Sequence, residues 1–405
     1  MNSLLNHPAS GFGPLAGFRV IELGQLIAGP FAGQLLGDLG AEIIKIELPG
    51  EGDPIRRWGR LTPEGESLWW SVIGRNKKSV AINVRSSAGR EAFLRLVELA
   101  DVVIENFRPG TLERWGLSYE TLKEVNPCIV MVRVSGFGQT GPYSDRAGFG
   151  AVGEAMGGLR AVVGNPDRPP VRTGISIGDA MSGALGALGA VAALLERKNS
   201  GQGQVLDVAL YESVLTFMES LVTDYDVSGH VRERTGATLP GVAPSNIYPT
   251  CDGREVVIAG NQDSVFRRLA TAMGSPELAE DSKFATHIAR GKHQEELDLL
   301  ISAWTISLTS TSIIDTLADA GVPSGSIFRA PDMLSDPHFT ARNSIVDVAH
   351  PVLGTIKMQG VAPRASRTPG RINWPGPALG AHTTEVLTGL LGLSEAEIEK
   401  AQVIR

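Results

Sequence analysis

Short apolar runs alternate with helix-patterned segments through the first half of the chain, and this alternation restricts the fold more than any other feature. "FRVIELG" (18–24) and "EIIKIE" (42–47) read as strands, and "PFAGQLLGDLGA" between them carries helical apolar spacing. Such a strand–helix–strand unit has parallel strands and a right-handed crossover. "SVAINV" (79–84), "DVVIENF" (101–107) and "CIVMVRVSGFG" (128–138) repeat the strand pattern, with "REAFLRLVELA" as an intervening helix. The pattern predicts an α/β fold in which helices cover both faces of a parallel sheet. "GALGALGAVAALLERK" (183–198) reads as a long buried helix, too short and too rich in small residues to span a bilayer. At 405 residues the chain exceeds one ordinary core, so two domains are expected. The Gly/Pro-rich stretch "SGHVRERTGATLPGVAPSNIYPT" marks a break near residue 225, and a last helix starts near Thr383.

The formal net charge of −7 lacks the electrostatic footprint of a nucleic-acid-binding protein. Cys128 and Cys251 have no neighbours at metal-ligand spacing and form no disulfide framework, so no metal site and a reducing compartment are expected. "MNSLLNHPASGFGPLAG" lacks the basic start and apolar core of a signal peptide. Together these features predict a cytoplasmic protein with neither nucleic acid nor membrane as partner.

"GISIGDAMSG" (174–183) holds two candidate nucleophiles. Ser176 sits in a G-x-S-x-G match, the elbow of serine hydrolases, which needs a strand before it and a helix after it. The only histidine upstream is His7, so no HGGG-type oxyanion loop exists, and none of the six later histidines is singled out by its neighbours. Asp179 would stand at the helix start, where an aspartate caps backbone N–H groups. An ionised carboxylate there can also attack an activated acyl group, with the helix dipole and glycine amides steadying the negative charge. Both roles remain open on the residues alone. "GFGAVG" (148–153) follows no strand and is not a dinucleotide fingerprint, and no P-loop motif is present. Basic side chains around "GRNKKS" (74–79), with Arg85, Arg108 and Arg114, fall near strand ends, where an open α/β sheet binds ligands. They can hold the phosphates of a polyanion.

"LIAGPFAGQLLGDLGAEIIKIELPGEGDPIR", "NKKSVAINV", "VIENFRPGTLERWGL", "VSGFGQTGPY", "GDAMSG", "GQGQVLDVALYES", "DPHFTAR" and "GPALGAHTTEVL" occur in this order. The series resembles the class III CoA-transferase family, also called the CaiB–BaiF family, over nearly the whole chain. The resemblance implies an interlaced homodimer of chains that each have a large Rossmann-like domain and a smaller α/β domain. The expected boundaries are 1–224 with 345–405 for the large CoA-binding domain and 225–344 for the small one. It makes Asp179 the catalytic aspartate, which takes the acyl group of a CoA thioester as a mixed anhydride. Ile27, Ala28, Ile82, Asn83, Val84, Arg85, Asn106, Phe107, Arg108, Arg114, Ser135, Gly136, Phe137 and Gly138 match the family's CoA-contacting positions. No permanent cofactor is implied; coenzyme A thioester is a substrate, with a small carboxylic acid as the second.

Departures narrow the expected activity. Leu48, Ile27 and Phe137 replace an arginine, a glutamine and a tyrosine of the formyl-CoA branch, so formyl transfer is not expected. Phe149 stands where the family's racemases carry a proton-shuttling histidine. The implied reaction moves CoA from succinyl-CoA to a dicarboxylate such as malate, citramalate, mesaconate, itaconate or glutarate. Arg232, Arg234, Ser245 and Asn246 form a candidate lid over the acceptor, with a plain surface loop as the other reading. The competing functions are a thioesterase using Ser176 and a non-catalytic CoA-binding protein.

Overall fold

The computed structural model describes residues 11–404, so His7 and the rest of the first ten residues lie outside the described residues. The chain divides into two compact units. One takes in the chain up to Leu159, then Thr173–Ser220, then everything from Thr340 onward; the other comprises Arg160–Arg172 and Leu221–Phe339.

The first unit is organised by a six-stranded sheet of order β3-β2-β1-β4-β5-β6. Its strands are β1 (Arg19–Glu22), β2 (Glu42–Glu47), β3 (Lys77–Ala81), β4 (Val102–Glu105), β5 (Val130–Ser135) and β6 (Val205–Ala209). All pairings are parallel, with Val20 in register with both Ile43 and Val102. The central strands are buried on both faces, which is why they read as continuous Val/Ile runs rather than alternating ones. One face is covered by the Ser87–Glu98, Thr383–Leu391 and Glu395–Gln402 helices through Phe93, Leu96, Val386, Leu387 and Ile398. The other carries the Ala28–Asp38 and Ile177–Ser200 helices through Ala32, Leu36, Ala187, Ala190 and Leu194. The strand order reverses between β1 and β4, and ligands of such sheets bind in the crevice at that switch point.

The Ile177–Ser200 helix corrects two expectations. It begins six residues before the segment read from the sequence and runs for 24 residues, long and apolar enough to cross a membrane by length and composition. It is also buried on one side only. Its small-residue face packs so closely that a Cβ on Gly183 would lie 2.6 Å from the Ala28 carbonyl oxygen. The opposite stripe leaves Leu188 and Leu195 exposed. Sequence composition reports the apolar character of both stripes but not which one has a neighbour within the chain.

The second unit has its own core. An antiparallel sheet, β7 (Ser245–Pro249), β8 (Glu255–Ala259) and β9 (Ser324–Ser326), packs Tyr248, Val256 and Ile258 against Phe266, Leu297, Ile301 and Leu317 of its helices. The hairpin β10 (Ile345–His350) and β11 (Gly354–Gln359) falls within the first unit.

Candidate active site

The loops after β1 and β4 meet at the switch point. Asn106 Nδ2 donates to the Gln25 carbonyl at 2.8 Å, and its Oδ1 accepts from the Gln25 amide at 2.7 Å. A cleft beside this joint is lined by Gln25, Leu48, the run Ile82, Asn83, Val84 and Arg85, and the rings of Phe107 and Trp115. The Arg85 guanidinium lies 4.9 Å from the centroid of Trp115, whose ring meets Phe107 edge-on at 5.1 Å. Stacking of this kind holds a guanidinium in place while leaving its N–H groups able to reach a phosphate. Arg108 and Arg114 are exposed on the following loop and short Thr111–Arg114 helix, and Arg114 donates to Thr111 Oγ1 at 2.9 Å. Asn83 is committed to the fold: Nδ2 donates to the Val403 carbonyl at 2.9 Å, and Oδ1 accepts from the Arg85 amide at 3.1 Å. Gln25 and Trp115 escaped the sequence reading, although each lies within two residues of a position it singled out.

A buried ion pair stiffens the β4 loop. Glu105 accepts from Arg133 Nε and from the Phe107 amide, each at 2.7 Å, and Arg133 reaches on to Glu113 at 2.7 Å. Burial pushes the Glu105 carboxyl up to about 7, against the pull of Arg133 and the amide. A raised carboxyl binds its proton more tightly in the folded chain than in the unfolded one. Its contribution to stability is therefore greatest below the ordinary value near 4.5 and declines as pH rises toward 7. Glu105→Gln is expected to flatten this decline: between pH 5 and 7.5 its unfolding free energy, from denaturant titration, should change less than that of the unsubstituted protein.

Asp179 lies inside the first turn of the Ile177–Ser200 helix, as its third residue, with Ser176 in the N-cap position. The expectation of Asp179 as the cap is corrected by three positions. A carboxylate in a first turn still gains from the helix dipole. The Gly150 backbone lies against it: a Cβ on Gly150 would be 2.1 Å from Asp179 Oδ2 and 3.0 Å from Oδ1. Gly150 opens the Gly150–Met156 helix, directly after the exposed Phe149. Gly136 and Gly148 approach so closely that a Cβ on Gly136 would lie 2.7 Å from the Gly148 Cα, and Ser135 Oγ accepts from the Gly138 amide at 3.0 Å. The Phe137 ring meets Tyr143 edge-on at 6.0 Å. Ile27 and Ala28 are buried at the start of the Ala28–Asp38 helix, where Gly183 packs on Ala28. The predicted residues thus gather along the carboxyl ends of β1, β3, β4 and β5. Asp179 is tied to them through glycine contacts.

Ser176 lacks the setting an elbow requires. No strand precedes it: the segment between the Leu159–Val162 and Ile177–Ser200 helices contains no regular element. A serine–histidine pair does occur, but at Ser71, whose Oγ lies 3.3 Å from His350 Nε2. His350 Nδ1 accepts from the Val352 and Leu353 amides, which leaves the ring proton on Nε2, pointing at the hydroxyl. That tautomer cannot take a proton from Ser71. The candidate lid also changes. Ser245 and Asn246 belong to β7 rather than to a loop, and Asn246 Nδ2 donates to Asp298 at 2.8 Å. Arg234 donates to the Asn165 carbonyl at 3.2 Å.

Known proteins resemble this arrangement over its full extent. The profile of "CoA-transferase family III" matches residues 15–383. The chain is 58% identical over 392 residues to a succinyl-CoA–D-citramalate CoA-transferase of Chloroflexus aurantiacus, covering 97% of this chain and 98% of that one. It is 36% identical to a succinate–glutarate CoA-transferase of Agrobacterium fabrum, covering 93% and 96%. The crystal structure of a CaiB/BaiF family protein from Brucella suis superposes with a TM-score of 0.82 at 36% identity, over 94% of this chain and all of the other. On these matches, and on the parallel sheet they share, the chain belongs to CoA-transferase family III and is an enzyme of that class.

Proposed function

We propose that the protein moves CoA from succinyl-CoA to a small dicarboxylate, with citramalate first among the acceptors and malate, glutarate, mesaconate and itaconate as the alternatives. One observation carries the mechanism: a half-buried carboxylate in the first turn of a 24-residue helix, with the Gly150 backbone lying against it. An Asp179 oxygen attacks the thioester carbon, and the C–S bond breaks to give an aspartyl–succinyl anhydride and CoA thiolate. The thiolate then attacks the aspartyl carbonyl, releasing succinate and leaving CoA on Asp179 as a thioester. The acceptor carboxylate attacks that thioester, and the thiolate returns to the acceptor's carbonyl, freeing Asp179. One thioester replaces another, so no nucleotide is consumed. Backbone amides at the helix start oppose the charge on each tetrahedral oxygen.

The CoA moiety is assigned to the cleft between Gln25, the Ile82–Arg85 run and the Asn106–Arg114 loop. Arg85 lines the cleft and is exposed, and the exposed Arg108 and Arg114 follow Phe107 in the chain, guanidinium groups suited to phosphates. The names of the similar proteins support succinyl-CoA as donor and a four- or five-carbon dicarboxylate as acceptor. Exposed Leu188 and Leu195 on the Asp179 helix support a homodimer, since a second copy would cover them.

The test is product analysis with purified protein, succinyl-CoA and a panel of acids. A new acyl-CoA matched by an equal amount of succinate is the expected result. Free CoA without a new thioester would instead support the Ser176 hydrolase, and no turnover with any acid would leave a CoA-binding protein.

A further inference from the structure

Three consecutive residues of the β1 loop have their backbone held by three different polar side chains. The Lys45 ammonium donates to the Gly24 carbonyl. Asn106 closes both of its hydrogen bonds on Gln25. Asp53 Oδ1 accepts from the Leu26 amide at 2.9 Å and from the Ile55 amide at 3.0 Å. Leu26 takes φ 62°, the left-handed region that a residue with a Cβ avoids unless its surroundings hold it there. Lys45 and Asp53 are each 1% exposed and pair at 2.7 Å, with Glu22 a further 3.0 Å from the same ammonium. Lys77 completes the cluster, 2.8 Å from Glu22 and donating to the Pro30 carbonyl at 2.7 Å. Glu47 accepts from the Asp53 amide at 2.9 Å and pairs with Arg56 at 2.7 Å. Three cations therefore face three carboxylates beneath one short loop.

A buried charge network of this size is expensive to assemble and adds little to stability over an apolar core of equal volume. Its use is to fix geometry. Burial would by itself depress the Lys45 ammonium, and Asp53, Glu22 and Glu47 outweigh it and hold the charge on.

We propose that Asp53, backed by Lys45, is a positioning residue for acyl-CoA: it holds Leu26 left-handed, which sets Gln25 at the wall of the cleft. The inference rests on the assignment of that cleft to CoA. Asp53 does not line the cleft itself, and its effect passes through the Leu26 amide.

The test measures CoA binding by calorimetry, together with KM and kcat for succinyl-CoA. The unsubstituted protein comes first, because failure to bind CoA there would defeat the assignment of the cleft rather than the role of Asp53. Asp53→Ala is expected to weaken CoA binding and raise KM by about tenfold, with kcat within about twofold. Adding Leu26→Gly to that variant should recover most of the loss, since glycine reaches positive φ without help. Leu26→Val leaves the ion network untouched and keeps the test open if Asp53→Ala does not fold. A β-branched side chain resists the left-handed region, so this variant should also bind CoA several-fold more weakly. Unchanged CoA affinity in Asp53→Ala or in Leu26→Val would overturn the proposal, and so would a double variant no better than Asp53→Ala.

Discussion

Asp179→Ala is expected to lower CoA transfer by at least roughly four orders of magnitude, about 5.5 kcal/mol of transition-state stabilisation. In the covalent route every step passes through this carboxylate, so its removal leaves no partial pathway. Direct exchange between a thioester and a free carboxylate would have to proceed without a bound intermediate. CoA affinity should change little, because the side chains assigned to the cofactor belong to the loops after β1, β3 and β4. Stability should change modestly, by about 1 kcal/mol, the ordinary value of a charge in the first turn of a helix. Chromatography of acyl-CoA products, with calorimetry of CoA binding and circular dichroism of the fold, separates these quantities. Normal turnover by a folded Asp179→Ala variant would rule out the anhydride route and return attention to Ser176, whose alanine variant is the matched control.

The sheet was legible because its central strands are buried on both faces. "EIIKIE" coincides with β2, three of the other four apolar runs named in the sequence contain a strand, and "SVAINV" overlaps β3, which starts two residues earlier at Lys77. Glycine-rich closeness was harder to read. The sequence shows Gly136, Gly148 and Gly150 but not that the first two touch each other and the third touches Asp179. Those contacts join segments more than ten residues apart and have no local pattern. The exposed side of the Ile177–Ser200 helix was invisible for a related reason, since the neighbours Ala187 and Leu188 are both apolar yet the first is buried and the second exposed. The Glu22, Lys45, Lys77 and Asp53 cluster escaped notice because a lysine within a strand reads as a solvated residue until a neighbouring strand brings it a carboxylate. Trp115 escaped because a tryptophan in a loop has no period to betray it. The left-handed Leu26 had no signal at all: nothing local distinguishes it from any other loop leucine.

The Gly150 contact supplies the second large effect. A methyl group at this position would stand 2.1 Å from Asp179 Oδ2, well inside van der Waals contact, and 3.0 Å from Oδ1. Gly150 is buried and opens a helix that packs on the neighbouring Leu210–Leu215 helix, so its backbone cannot readily retreat. The carboxylate is the softer partner: rotation about its side-chain bonds relieves the clash by moving the attacking oxygen an ångström or so. A displacement of that size costs about 10²-fold in a reaction that depends on a near-attack geometry. Gly150→Ala is therefore expected to lower kcat by about a hundredfold while the Kd for CoA stays within about twofold. Gly150→Ala also replaces glycine with a better helix former at a position where φ is not positive, so global stability should hold apart from the local clash. This pattern differs from that of Asp53→Ala, where binding weakens and kcat is retained. Equal losses of kcat in alanine variants of Gly150 and Gly153 would point to a general disturbance of the short helix, because Gly153 meets Leu210 rather than Asp179. A Gly150→Ala enzyme with unchanged kcat would mean that the oxygen facing Gly150 is not the one that attacks.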